Sequence, residues 1–306
     1  MRTILVTGCN GLLGSNLVFQ VAEEHRVIAT TRTCAMSSRE VTKVRMDISD
    51  EVEVGSVLRR FPPDLVIHCA AETNVDLCET QPELAERINT GGTRHITKVA
   101  ADLGVGVIFV SSDSVFDGHR GGYAEGDQTG PLNVYSQTKL RGEQVVFEAS
   151  SENLVVRTNM FGWNMLPKKS LSEWCLAELR EGNDINGFAD VLFSPLLVND
   201  IASLILETYE AGLRGLYHLG ARDHTSKYEF ALKIARAFQL DDQLVSASSL
   251  SAAKLAAPRP RKTYLDVAKL TADLGHPLPS IDEGIKTFHE LEKSGYVEEL
   301  RATAGN

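Results

Sequence analysis

Three side chains in the middle of the chain have the types and order needed to move a proton to or from a carbonyl oxygen. Tyr135 and Lys139 form a Tyr-x-x-x-Lys pair. On a helix, four residues is about one turn, so both side chains share a face. A free tyrosine, with a pKa near roughly 10, is a poor acid or base at neutral pH. A nearby ammonium favours the phenolate and lowers that value, so the pair suits proton exchange with an alcohol or ketone oxygen. Ser112 closes an apolar run that reads as a strand. Its hydroxyl could hydrogen-bond the same oxygen and support developing charge. In isolation Ser112 would serve equally as a turn or helix cap.

A second cluster sits at the N-terminus. Gly8, Gly11 and Gly14 lie in Thr7-Gly8-Cys9-Asn10-Gly11-Leu12-Leu13-Gly14, after one strand-like run and before a helix-like one. Glycines there let the backbone turn tightly and approach a pyrophosphate, which then rests on the helix N-terminus. The loop therefore predicts dinucleotide binding through Gly8, Asn10, Gly11, Leu12, Leu13 and Gly14. After the second strand-like run, where an NAD site usually carries an acid, the chain has Thr31-Arg32-Thr33. Arg32 could receive a 2′-phosphate. The expected cofactor is NADP(H), with NAD(H) kept open. Met46-Asp47-Ile48 follows a short third strand. Asp47 there could accept from an adenine amino group or cap the next helix. Cys69, Ala70 and Ala71 end the fourth strand, and the two alanines are small enough to leave room for a dinucleotide.

These residues need a scaffold that gathers them at one edge. Strands are predicted at Thr3–Thr7, Arg26–Thr30, Leu65–Cys69, Val105–Ser111, Leu154–Thr158 and Gly215–Leu219. Helical patterns fall at Gly14–Glu24, Glu83–Leu103, Tyr135–Glu148, Ser170–Glu181, Asp200–Glu210 and Tyr228–Phe238, with a tail helix through Ile281, Ile285, Phe288 and Leu291. Alternation of apolar strands and helices reads as an α/β fold, a Rossmann-type doubly wound parallel sheet. A smaller, mostly helical substrate-binding lobe completes it. The expected division is 1–163 plus 187–222 for the NAD(P)-binding domain and 164–186 plus 223–306 for the lobe. Ala257–Thr263, rich in Pro and Arg, reads as a loop.

Composition narrows the class. The 306 residues are 43% hydrophobic and 24% charged, ordinary for a globular chain, with a net charge of −10. An acidic chain without a basic cluster is a poor grip for nucleic acid or anionic lipid, so neither nucleic acid nor membrane is an expected partner. The five cysteines are scattered without a Cys-x-x-Cys. That argues against a disulfide framework or a zinc site and for a reducing compartment. No metal site is expected, since the eight histidines lack His-x-x-x-His spacing. His68 and His218 read as packed strand histidines. No apolar run approaches a membrane span and no signal peptide is evident, so a cytoplasmic chain is expected.

The segments VTGCNGLLGSNL, HCAAETNVDLCE, INTGGT, VSSDSVFDG, PLNVYSQTKLRGE, RTNMFGWN, FSPLLVNDIA, GLYHLG and YEFALKIARAF run through nearly the whole chain. Together they resemble the extended short-chain dehydrogenase/reductases, and within them the dTDP-4-dehydrorhamnose reductase family, the last enzyme of dTDP-L-rhamnose synthesis. The resemblance implies a nucleotide-sugar substrate and reduction of its ketone. Tyr135 would donate the proton, Lys139 would bind the nicotinamide ribose and tune Tyr135, and Ser112 would orient the ketone. Thr73, Asp113 and Met160 match positions near the substrate. Asn89 matches an asparagine linked to proton relay or to packing. Arg259 could meet a diphosphate or be solvated. A homodimer is compatible with the resemblance. Two positions depart from the pattern: Ser114 stands where a Tyr is typical, and Asn159-Met160-Phe161-Gly162 where an aromatic is frequent.

Other readings use the same fold. A 4,6-dehydratase would need an Asp-Glu pair, but Asp113 is followed by Ser114. A 4-epimerase would hold NAD tightly, against the missing acid after the second strand. The family also resembles the regulatory β subunit of methionine adenosyltransferase, a non-catalytic role; the intact Ser112, Tyr135 and Lys139 set favours an enzyme.

Overall fold

The computed structural model describes residues 1–33 and 41–303; Cys34 lies outside them. From the N-terminus the chain forms β1 (Thr3–Thr7), α1 (Leu12–Val21), β2 (Arg26–Thr31), β3 (Val41–Arg45), α2 (Glu51–Arg60), β4 (Leu65–His68), α3 (Val75–Thr80), α4 (Pro82–Ala85), α5 (Gly92–Asp102), β5 (Gly106–Ser112), α6 (Val134–Ala149) and β6 (Leu154–Thr158). There follow β7 (Met160–Phe161), α7 (Leu171–Arg180), β8 (Ile185–Phe188), β9 (Leu192–Phe193), β10 (Leu196–Leu197), α8 (Val198–Glu210) and β11 (Gly215–Leu219). The last elements are β12 (Thr225–Ser226), α9 (Lys227–Ala237), β13 (Val245–Ser248), α10 (Ala268–Leu274), α11 (Ile281–Lys293) and α12 (Tyr296–Ala302).

Seven strands make one parallel sheet in the order β11-β6-β5-β4-β1-β2-β3. This is the expected Rossmann-type sheet. Alternate residues of its strands feed two cores, as the period of two requires. Ile4 and Val6 join α1 and α8 on one face, while Leu5, Ile28 and Val66 meet α2 and α5 on the other. The first core runs on without a break into Phe161, Trp163, Phe230 and Phe288. There the short pairs β8–β13 and β9–β12 and the helices α7, α9 and α11 gather. Chain order reverses between β1 and β4, and that places a crevice at their carboxyl ends.

One expected element is divided. Glu83–Leu103 is not a single helix: α4 passes through a π-helical turn, Glu86–Gly91, before α5 begins. Such turns insert a residue and re-aim the side chains that follow. Here the turn carries Asn89 inward to two neighbouring segments.

Candidate active site

A cavity of about 850 Å³ opens over the carboxyl ends of the sheet strands. Every residue named above for catalysis, cofactor or substrate lies on its wall; Asn89 alone does not. The glycine loop forms one end. Gly8 has φ of +68°, and a Cβ there would stand 2.8 Å from Ala70 Cα. A Cβ on Gly14 would stand 2.2 Å from the Gly8 carbonyl oxygen. Both positions therefore need glycine, and Ala70 is small for the same reason. Gly11 precedes α1 and no side chain caps the helix. Its first amides are left for an anion in the cavity. Gly11 itself has only the Gly8 carbonyl oxygen near its missing Cβ, at 3.3 Å.

Arg32 is exposed on the same wall, beside Asp47. Burial alone would raise the Asp47 carboxyl. Its two bonds from Ser49, 2.9 Å from N–H and 2.8 Å from Oγ, with the charges of Arg32 and Arg45, hold it below the usual range. The cap of α2 is Asp50, which accepts from the Val52 and Glu53 amides, so Asp47 does not play that alternative part.

Asn133 starts α6 by accepting from the Ser136 amide, which sets Tyr135 in the first turn and Lys139 one turn on. Lys139 is buried with Nζ 4.1 Å from the centre of the Phe109 ring. Burial pulls its ammonium down to about 8, against the attraction of Glu143. Glu143 is in turn held by Arg157 at 2.9 and 2.7 Å and by Ser111 Oγ at 2.5 Å, all buried. The depressed tyrosine expected from the sequence is not found. Burial pushes Tyr135 up to about 12, outweighing the hydrogen bond from Ser112. Tyr135 is thus a protonated phenol across the neutral range, suited to give a proton rather than to take one.

Ser112 Oγ accepts the Ser114 amide at 3.2 Å, so the capping part holds, and it also faces the cavity. Asp113 lines the cavity with its carboxylate already bonded within the protein. Its Oδ2 takes Asn159 Nδ2 at 2.9 Å and Thr263 Oγ1 at 2.6 Å, and its Oδ1 lies 3.2 Å from Ser112 Oγ. The carboxylate is a buried knot between the ends of β5 and β6 and the loop at Thr263, and burial raises its pKa. Asn89 binds both backbone groups of Glu72, at 2.7 and 3.1 Å, and Thr138 Oγ1 at 3.0 Å. This is the packing role: it ties the loop that carries Thr73 to the helix that carries Tyr135.

On the far wall sequence reasoning named Thr73, Met160 and Arg259 and missed the lysines. Lys168, Lys169 and Lys227 line it with Arg259, Phe193 and Leu255. Burial lowers the Lys227 ammonium, with Asp113 attracting it and Arg259 repelling it. The capping box Ser226/Glu229 marks where α9 starts, but nothing local says that its first residue faces this cavity. Arg259 is partly spent on its own loop, giving 3.0 Å to Asp76 Oδ1 and 2.9 Å to the Ala257 carbonyl. Met160 in β7 and Thr73 complete this side. His68 is buried between Thr7 and Thr93 hydroxyls and His218 in β11 beside Phe116, both held neutral by burial. Among the described residues no group of three His, Cys, Asp or Glu is placed to hold a metal, and no helix is long and apolar enough to cross a membrane.

Comparison with known proteins finds relatives over most of the chain. The family described as RmlD substrate binding domain matches residues 1–293. A probable low-salt glycan biosynthesis reductase of Haloferax volcanii, Agl14, is 30% identical over 92% of this chain and 95% of its own. Methionine adenosyltransferase 2 subunit beta of Xenopus laevis is 32% identical over 88% of this chain and 81% of its own. The crystal structure of dTDP-4-dehydrorhamnose reductase from Bacillus anthracis, in complex with NADP, superimposes with a TM-score of 0.84 at 29% identity, covering 94% of this chain and 98% of that one.

Proposed function

The chain belongs to the RmlD substrate binding domain family, within the extended short-chain dehydrogenase/reductases, and from that premise we propose that it reduces the ketone of a nucleotide-linked 4-keto-6-deoxy sugar, dTDP-4-dehydrorhamnose first among them. NADPH, when bound, supplies the hydride. The α1 amides would hold its pyrophosphate, Arg32 its 2′-phosphate, Asp47 and Ile48 its adenine side, and Cys69, Ala70 and Ala71 give it room. Lys139 would hold the nicotinamide ribose. Tyr135 gives its phenol proton to the ketone oxygen as charge develops there, and Ser112 donates a hydrogen bond to the same atom. Thr73 and Met160 flank the sugar, while Arg259 and Lys227 face its diphosphate. We assign 1–163 plus 187–222 to the cofactor and 164–186 plus 223–306 to the substrate lobe.

The observation that carries this reading is that a protonated Tyr135 shares one cavity with an uncapped helix start and a lysine-rich far wall. A proton donor, a pyrophosphate seat and a cationic wall are what reduction of a sugar nucleotide asks for. NADPH oxidation with a panel of nucleotide-linked 4-keto sugars tests it. Turnover of one of them supports the reading; no turnover of any, with NADPH bound, removes it.

A second reading has its own support: the relative named methionine adenosyltransferase 2 subunit beta is as similar as the reductases. A non-catalytic partner would bind NADPH without oxidising it. Turnover of a keto sugar decides against that role as the chain's sole function.

A further inference from the structure

Lys139 and Glu143 stand four residues apart on α6, the spacing at which a lysine and a glutamate pair across one helical turn. Both are buried, and burial strengthens the pull between opposite charges. They do not pair. The Lys139 ammonium lies over the Phe109 ring and, among the described residues, has no hydrogen-bond or ion-pair partner. The Glu143 carboxylate is taken from the other side. Ser111 in β5 and Arg157 in β6 are register partners on neighbouring strands. Arg157 gives 2.9 Å from Nε to Oε1 and 2.7 Å from Nη2 to Oε2, and Ser111 Oγ adds a third bond to Oε1. The guanidinium lies 5.0 Å from the centre of the Phe116 ring, and Glu143 is its one carboxylate partner among the described residues.

Stability does not account for this ion pair. Taking two charges out of water can cost more than their attraction returns, and apolar side chains of the same volume often serve as well. What the pair does account for is the free ammonium. A guanidinium fork fixes both carboxylate oxygens at once. A carboxylate so held is kept from swinging back one turn to Lys139. The charge of Glu143 still reaches Lys139 and raises it, against burial, but its oxygens do not.

We propose that Arg157 is a positioning residue: by holding Glu143 in a two-pronged ion pair, it keeps the Lys139 ammonium uncaptured and available to the nicotinamide ribose. This rests on the reading that Lys139 holds that ribose, and it does not need turnover. Arg157 is not on the cavity wall and acts through Glu143 alone.

NADPH binding, followed by nucleotide fluorescence at neutral pH and through the alkaline range, tests it without a sugar substrate. Arg157→Met frees Glu143 to take Lys139. The NADPH Kd is expected to rise about tenfold, the effect of one charged hydrogen bond. The pH at which binding weakens moves above about 8, because Lys139 then feels the whole Glu143 charge. Glu143→Gln leaves the Arg157 charge alone beside Lys139, so that pH moves the other way, below about 8. Of the other groups around Lys139, His68 is charged only below about 3, while Cys69 and Tyr135 keep their protons to about 12. The double variant carries neither charge, and its Kd returns close to wild type. An unchanged Kd for Arg157→Met, shifts of the same sign in both single variants, or a double variant as weak as a tenfold loss overturns the role. The double variant buries no unpaired charge, so it decides with Glu143→Gln where Arg157→Met does not fold. NADPH binding that Lys139→Met leaves unchanged overturns the reading of Lys139 and this role with it. Binding weakened by Lys139→Met but not by Arg157→Met removes Arg157 alone.

Discussion

The two ends of the cavity are built by different means. The cofactor end is mostly backbone: a glycine turn packed against Ala70, and helix amides left uncapped. The far end is side chains brought from distant segments, with Lys227 close enough to Arg259 to feel its charge and Lys168 also lining the cavity. A backbone seat binds a constant group, a pyrophosphate, and tolerates little change. A side-chain wall can be rewritten one residue at a time while the fold and the chemistry stay. That difference explains how reductases and a methionine adenosyltransferase subunit can all share this chain's fold at similar identity.

The comparison can be broken or sharpened by substitution. Of the two ends, the larger effect falls on the cofactor end. Arg32→Ala is expected to weaken NADPH binding by about 10- to 100-fold, the worth of a charged hydrogen bond to a phosphate, and NADH binding hardly at all. Titration of the nucleotide fluorescence checks it, and equal losses for both cofactors would take the 2′-phosphate from Arg32. A smaller effect is expected at the far wall. Lys227→Met should raise KM for the sugar nucleotide by about three- to tenfold, leaving the NADPH Kd alone, because Lys227 is partly open to solvent. A change in the NADPH Kd instead would merge the two ends into one site.

The smallest effect is one of pH. Burial lowers Lys139 to about 8 while Tyr135 stays protonated to about 12. The charged form of Lys139 is therefore present below about 8 and lost above it. kcat/KM should be level through neutral pH and fall to half near pH 8, with one proton lost and no limb from Tyr135. Lys139→Arg, which keeps its charge, should move that limb upwards. A limb unmoved by Lys139→Arg would belong to another group.

Legibility in the sequence divides along the same line. β1, β6 and β11 match their expected bounds because buried parallel strands are continuous apolar runs. The glycine loop, Ser112, Tyr135 and Lys139 are local patterns, and the structure sets them on one wall. What was not legible depends on contacts across the chain. The π turn at Asn89 follows from bonds to Glu72 and Thr138. The Asp113 carboxylate is engaged within the protein because Asn159 and Thr263 reach it. Tyr135 rises rather than falls because burial, which no spacing reveals, outweighs the hydrogen bond from Ser112. The pairs β8–β13 and β9–β12 join segments far apart in sequence, and Lys227 faces the cavity only once they have formed.

The central claim is that this cavity reduces a sugar-nucleotide ketone with a proton from Tyr135. Loss of NADPH absorbance, followed with dTDP-4-dehydrorhamnose for wild type and Tyr135→Phe, tests it most directly. The account predicts turnover by wild type and a fall of about 100- to 10,000-fold in Tyr135→Phe, with NADPH still bound by both. Turnover by Tyr135→Phe at the wild-type rate would contradict it.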